Sequence, residues 1–170
     1  MMKCLCNVVL GLIAVAAFAG CGKPEEKTAA SSSSASPYRA TSEPAGATDI
    51  LVAKETVKDG DEVTIAGRIG GDEKPWVDGI AAFTVVDLSL KPCDEQEGCP
   101  TPWDYCCEVD AANKGKAMVK VVDANGKPVA TDARELLAVK ELNTVVVRGT
   151  AKRDEAGNLT ILAQEIFVRP

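Results

Sequence analysis

Five segments of this chain have the composition and spacing of short β-strands. Each is rich in Val, Ile and Thr, and turn-forming sequences separate them. One convincing helical stretch, 132–139, lies between the third and the fourth segment. The five predicted strands are 62–69, 80–88, 116–123, 144–152 and 159–168. The domain that we predict over 48–170 is therefore all-β apart from this helix.

The order of these segments, with three strands, a helix and two strands, is similar to that of the OB-fold, a small Greek-key barrel. The local sequences also resemble OB domains, including the type that binds nucleic acid, at 60–69, 83–87, 142–149 and 158–163. The resemblance implies a five-stranded OB-fold-like Greek-key barrel with one short helix and a Cys-rich insertion between strands 2 and 3. A small β-sandwich is the alternative that the strand pattern leaves open.

The first 21 residues resemble the export signal of a bacterial lipoprotein. Lys3 precedes an apolar run, 8–19, of about 12 residues, which is too short to span a bilayer and has the length of a signal-peptide core. The run ends in a lipobox-like sequence before Cys21, in which Phe18 stands where Leu is usual. The resemblance implies a signal peptide over 1–20 and a lipoprotein with palmitate on Cys21. An ordinary secretory signal is the alternative.

The lipid implies that the protein is held on a membrane of the bacterial cell envelope, facing the periplasm or the surface. Gly22 follows the predicted anchor, where the best-studied inner-membrane lipoproteins carry Asp, so the resemblance favours the outer membrane. Residues 21–47 include four consecutive serines and three prolines. A stretch of this composition buries too little apolar surface to offset its ordering entropy. We therefore expect a lipidated N-terminus and a disordered tether over 21–47.

All four cysteines of the predicted domain, Cys93, Cys99, Cys106 and Cys107, lie in one acidic insertion, 91–115. Two disulfide bonds are the first hypothesis, because the compartment is oxidising and a long loop needs cross-links. A zinc or copper site is the second, because four sulfurs complete the tetrahedral shell of zinc and are soft ligands for copper(I). Redox exchange at the adjacent pair of cysteines is the third.

The composition excludes several classes of function. The chain has no histidine, which removes Ser-His-Asp and Cys-His catalysis and every zinc site that needs imidazole. A net charge of −6 and an aromatic content of 4% argue against binding nucleic acid. The sequence offers no positioned base, nucleophile or phosphate-binding loop. We therefore expect no enzymatic activity, and no cofactor unless the cysteines bind zinc or copper.

Five other residues are candidates for ligand contacts. Trp76 lies in a connection that borders the usual binding face of OB-folds, either as a lid over the barrel end or as a ligand contact. Arg68 and Arg148 could line one face of the barrel, and Trp103 and Tyr105 offer apolar rings with polar tips. The predicted function is a lipid-anchored envelope module that binds a protein, a glycan or another ligand. Soft-metal handling is the alternative, and nucleic-acid binding is the third possibility.

Overall fold

The computed structural model describes residues 36–93 and 98–170. The predicted signal peptide, Cys21 and the first part of the predicted tether lie outside these ranges. Across the two ranges, no helix combines the length and the apolar character needed to cross a bilayer. The strands are β1 (Thr48–Asp49), β2 (Glu62–Ile69), β3 (Trp76–Val77), β4 (Ala82–Val86), β5 (Lys116–Val121), β6 (Thr144–Arg153) and β7 (Leu159–Val168). The α-helices are α1 (Ile50–Thr56), α2 (Val109–Gly115) and α3 (Ala133–Leu137).

Five of the strands close into a barrel. β2 is antiparallel to both β4 and β6, β4 is antiparallel to β5, and β6 is antiparallel to β7. Parallel pairing of β5 with β7 completes the ring. This closed ring, with α3 between its third and fourth strands, has the connectivity of the OB-fold. The predicted five-stranded OB-fold-like barrel is confirmed, and the alternative of a β-sandwich is wrong.

Alternate side chains of the barrel strands fill its interior. On β5, Ala117, Val119 and Val121 are buried, and the residues between them are only partly so. β6 is interrupted by a bulge between Arg148 and Gly149. A Cβ atom at position 149 would overlap the backbone of the neighbouring strand β7, so the close approach of the two strands requires glycine.

The helices only partly match the prediction. α3 falls within the predicted stretch 132–139, and Asp132 caps it by accepting a hydrogen bond from the backbone N–H of Arg134 at 2.8 Å. The prediction of one short helix is wrong, because α1 and α2 are also helical. In α1, Ile50 and Ala53 lie one turn apart and are both buried in the barrel core. The segment begins with Ile, Leu and Val, a run that is typical of a strand, so the helical spacing of its buried residues is not evident from sequence.

Residues 36–47, which we expected to be part of a disordered tether, are ordered against the barrel. The carbonyl of Tyr38 accepts a hydrogen bond from the N–H of Ile166, and the N–H of Ala40 donates to the carbonyl of Ile166, both at 2.8 Å. The pairing of β7 with β5 ends at Ala163, so the backbone beyond it is open to another partner. The prediction of a disordered tether is wrong for this part, because the backbone of Tyr38 and Ala40 pairs with that of Ile166 in β7.

β4 is buried on both of its faces. Phe83 and Val85 point into the barrel core, whereas Val86 forms a second, smaller cluster with Tyr105 and Ala112. Both of these partners belong to the Cys-rich insertion between β4 and β5. The insertion is therefore packed on the outer wall of the barrel.

Candidate metal centre

The cysteine segment, which we define as residue 93 together with 98–107, is attached to the loop after β2 through Trp103. The carbonyl of Trp103 accepts a hydrogen bond from the N–H of Gly71 at 2.7 Å, and its indole N–H donates to the carbonyl of Glu73 at 3.1 Å. A Cβ atom at Gly70 would lie 2.5 Å from the Trp103 carbonyl oxygen. Glycine at position 70 thus permits the close approach of the two segments.

Tyr105 fixes the segment to the barrel wall. Its side chain is fully buried, and its backbone adopts a left-handed conformation with φ of 57°. Its hydroxyl accepts a hydrogen bond from Arg68 Nη1 at 3.3 Å, and the same nitrogen donates to the carbonyl of Leu90 at 3.0 Å. Because the ring of Tyr105 points inward, the flanking residues Asp104 and Cys106 remain at the surface.

The sulfur atoms of the insertion converge without bonding to one another. Cys106 Sγ lies 3.6 Å from the Sγ of Cys93 and 3.6 Å from the Sγ of Cys99. A disulfide bond is about 2.05 Å long. The four cysteines of the described residues are free, so the predicted disulfide bonds are absent there. In a tetrahedral site with zinc–sulfur bonds of about 2.3 Å, two sulfurs lie roughly 3.8 Å apart. The observed spacing fits one shared ion.

A carboxylate joins these sulfurs. The ligand atoms of Cys93, Cys99, Asp104 and Cys106 all lie within 4.8 Å of one another. Asp104 Oδ1 accepts a hydrogen bond from the backbone N–H of Cys106 at 2.8 Å, and Oδ2 accepts one from the hydroxyl of Thr101 at 2.6 Å. These two bonds hold the carboxylate beside the sulfurs, so the group offers three soft ligand atoms and one hard one.

The surroundings of the thiols affect their ionisation unequally. Burial raises the pKa of Cys93, but hydrogen bonds from the backbone N–H of Cys107 and from the neighbouring thiols lower it, and the net change is downward. Hydrogen bonds to Cys99 and Asp104 raise the pKa of Cys106, and a hydrogen bond to Cys93 raises that of Cys107. Thiols with raised pKa values are poor nucleophiles, so the adjacent pair gains no support as a redox site.

Two of the five other candidate residues lie outside this group. Trp76 is in β3, where its indole N–H donates to Glu141 Oε1 at 2.6 Å and its ring centre lies 5.7 Å from that of Phe83. Arg148 lies on β6, 3.9 Å from Glu165 of β7. The remaining three support the cysteine segment through the contacts described above. The five predicted contacts therefore do not form one ligand site.

Asp104 is the one member of this group that the sequence alone does not identify. It is one of six carboxylates between positions 93 and 110, and nothing in the composition distinguishes it from the others. The sequence does contain one local indication that Asp104 is held in place. Thr101 stands three residues before Asp104 and lies between two prolines. Short side chains at such spacings commonly form hydrogen bonds within a turn.

No family model and no curated protein sequence matches this chain. Among solved structures, the chain is similar to that of OBody AM1L10 bound to hen egg-white lysozyme, with 15% sequence identity and a TM-score of 0.43. The match covers 77% of this chain and 98% of that chain. Lysozyme is the binding partner of the OBody in that structure, and nothing about partners is carried over to this chain. The fold assignment for this chain follows from its own strand pairing.

Proposed function

We propose that this protein is anchored by lipid in the bacterial cell envelope and binds zinc or copper(I) through the cysteine segment of its OB-fold domain. The observation that carries the proposal is the convergence of three sulfurs and one carboxylate within 4.8 Å, with no bond between the sulfurs. Thiolates bind both ions well. No other group of side chains described above brings together as many ligands of this kind.

The charge of the insertion supports a cation as the ligand. Between positions 93 and 110 the sequence has six carboxylates and neither lysine nor arginine. Glu108 and Asp110, which follow the cysteine segment directly, are exposed. Their negative potential raises the local concentration of a cation and assists its capture.

The metal content of the purified full-length chain tests this proposal. We expect stoichiometric zinc or copper after expression with either ion, and a lower melting temperature after chelation, because a bound ion stabilises the folded state. Cys99→Ser should lose the ion, whereas Ser89→Ala, outside the insertion, should keep it. The proposal fails if the protein has no metal, melts earlier only in reductant, and weighs four hydrogens less than its reduced form. That result would restore the two disulfides.

The lipid anchor has its own test. Cys21→Ser should leave an uncleaved precursor that incorporates no labelled palmitate, because the lipid is attached to the thiol of that cysteine. Fractionation of wild-type cells should place the mature protein with the outer membrane. Normal maturation of the variant would show that the N-terminal segment is an ordinary secretory signal.

A groove across β4 and β5 favours a second function, the binding of an envelope protein or glycan. It extends onto β7, and its lining includes Thr84 of β4, Lys116, Met118 and Lys120 of β5, Leu159 and Thr160 of β7, Asn113 of α2 and residues of the two flanking loops. OB-folds bind ligands along this face. If the groove binds cell-wall glycan, the protein should sediment with peptidoglycan sacculi, and Met118→Asp should release it. Equal sedimentation of both proteins would exclude this use of the groove.

Nucleic-acid binding remains the third possibility. The net negative charge leaves little of the counterion release that drives association with phosphate backbones. We expect no binding of single-stranded DNA at low micromolar protein in physiological salt, measured by fluorescence anisotropy. Submicromolar affinity would contradict this expectation.

A further inference from the structure

We propose that Asp104 is the fourth ligand of the metal ion, with Cys93, Cys99 and Cys106, and that this set favours zinc over copper(I). This inference rests on the proposed metal-binding function and specifies its ligands. Cys107, the remaining cysteine of the insertion, stays outside the coordination shell in this assignment. The simpler expectation from sequence was a shell of four sulfurs, so the two assignments differ at two residues, Asp104 and Cys107.

The placement of Asp104 supports its role. Its carboxylate belongs to the set of ligand atoms that all lie within 4.8 Å of one another, and its Oδ1 lies 3.9 Å from Cys93 Sγ. Thr101 and the backbone of Cys106 each bond to one of its oxygens. A carboxylate oxygen has more than one lone pair, so each oxygen can still contact a metal ion. The carboxylate is thus positioned in advance and needs little rearrangement to bind.

The placement of Cys107 argues against coordination by that residue. It is described by the structure, and its sulfur is not a member of the set of mutually close ligand atoms, although it is as exposed as Cys106. Its backbone N–H and its thiol both hydrogen-bond to the sulfur of Cys93, so it contacts one ligand of the set without belonging to the set. In this position Cys107 supports a ligand from outside the shell, as residues around metal ligands commonly do.

The chemistry of the set distinguishes the two ions. Zinc accepts sulfur and carboxylate oxygen in one tetrahedral shell, whereas copper(I) is selected by soft sulfur ligands. A shell of three sulfurs and one oxygen therefore suits zinc better. As the ion binds, the coordinating thiols release their protons to solvent and the carboxylate binds in its ionised form.

Alkylation of the zinc-loaded full-length chain tests the ligand set without any substitution. After treatment with iodoacetamide, peptide mapping should find Cys107 modified and the other three cysteines of the insertion protected. Addition of a chelator should expose all four. Protection of Cys107 along with the other three would overturn the proposal and favour four sulfurs.

Variants test the same assignment by affinity. Asp104→Asn should weaken zinc binding by at least about tenfold, since even changes outside the ligand shell cost this much. It should leave copper(I) binding unchanged. Cys107→Ser and Asp78→Asn, a matched charge change at a fully exposed side chain outside the insertion, should both retain zinc. Competition with chromophoric chelators measures both affinities.

The outcomes separate this inference from the function on which it rests. If Cys107→Ser loses zinc and Asp104→Asn keeps it, the ligand assignment is wrong and metal binding stands. If the wild-type chain binds neither ion, the proposed function fails as well. Thermal unfolding of each metal-free variant identifies a loss of affinity that comes from misfolding.

Discussion

Asp87 Oδ2 accepts a hydrogen bond from the backbone N–H of Leu51 at 2.9 Å, so a residue directly after β4 caps the first turn of α1. The other oxygen, Oδ1, accepts hydrogen bonds from the N–H and the hydroxyl of Ser89. Asp87 is only 1% exposed. One carboxylate thus joins the helix to the residues that precede the Cys-rich insertion.

Replacement of Asp87 by alanine should destabilise the domain by about 1–3 kcal/mol, because the part-buried hydrogen bonds from Leu51 of α1 and from Ser89 lose their charged acceptor. Urea unfolding measures the change. Asp78→Ala, at a fully exposed side chain, is the control and should lie within about 0.5 kcal/mol of wild type. Equal stability of the two variants would show that the cap contributes nothing.

Tyr105→Ala should destabilise the domain by roughly 3–5 kcal/mol, because it removes the largest side chain of the second hydrophobic cluster. The cysteine segment should loosen as well, so we expect the variant to retain less zinc. Tyr105→Phe is the matched control, since it keeps the ring and loses only the contact with Arg68. Full zinc retention by the alanine variant would show that the metal site does not depend on this anchor.

Gly149→Ala should cost more than about 2 kcal/mol, because the added methyl group overlaps the backbone of β7 and the bulge cannot accommodate it. Calorimetric melting is a suitable measurement. Arg148→Ala, the exposed neighbour on the same bulge, should have little effect. A normal melting temperature for the Gly149 variant would mean that the two strands separate easily at this point.

Asp132 should stabilise the domain in a pH-dependent way. Hydrogen bonds from Arg134 lower the pKa of Asp132 to about 2. The folded value lies below the unfolded one, so the contribution is complete above the unfolded pKa of about 4 and is lost as the pH falls toward 2. Asp132→Ala should therefore cost about 1 kcal/mol at neutral pH, as loss of a helix cap does. This difference should shrink between pH 4 and pH 2 in urea titrations, and a difference that is independent of pH would contradict the assignment.

The barrel could be predicted from sequence because its information is local. Each strand shows its own run of β-branched residues, and glycine appears where β6 must bend. Helix α1 could not be predicted in this way, because the cap that supports it, Asp87, is distant in sequence. The helix exists through a contact that no short window of sequence contains.

The candidate metal centre could be predicted only in part. The four cysteines stand out by type, and their grouping in one insertion suggested a shared role. The distinction between Asp104 and Cys107 depends on the direction in which Tyr105 turns the backbone, and its left-handed conformation is not encoded by residue type. The burial of the Tyr105 ring depends on its contact with Val86, which reaches its position only when β4 joins the barrel.

The strand pairing also determines when this domain can assemble. Three of the five seams of the barrel, β2 with β6, β6 with β7 and β5 with β7, require residues 144–168. While the chain is being made, β2, β4 and β5 can form only an open three-stranded meander. Closure joins Val63 to Gly149, and contacts so distant in sequence slow folding. The barrel therefore cannot close before residues 144–168 are available, so the first three barrel strands keep unpaired edges for longer than any other part of the sheet.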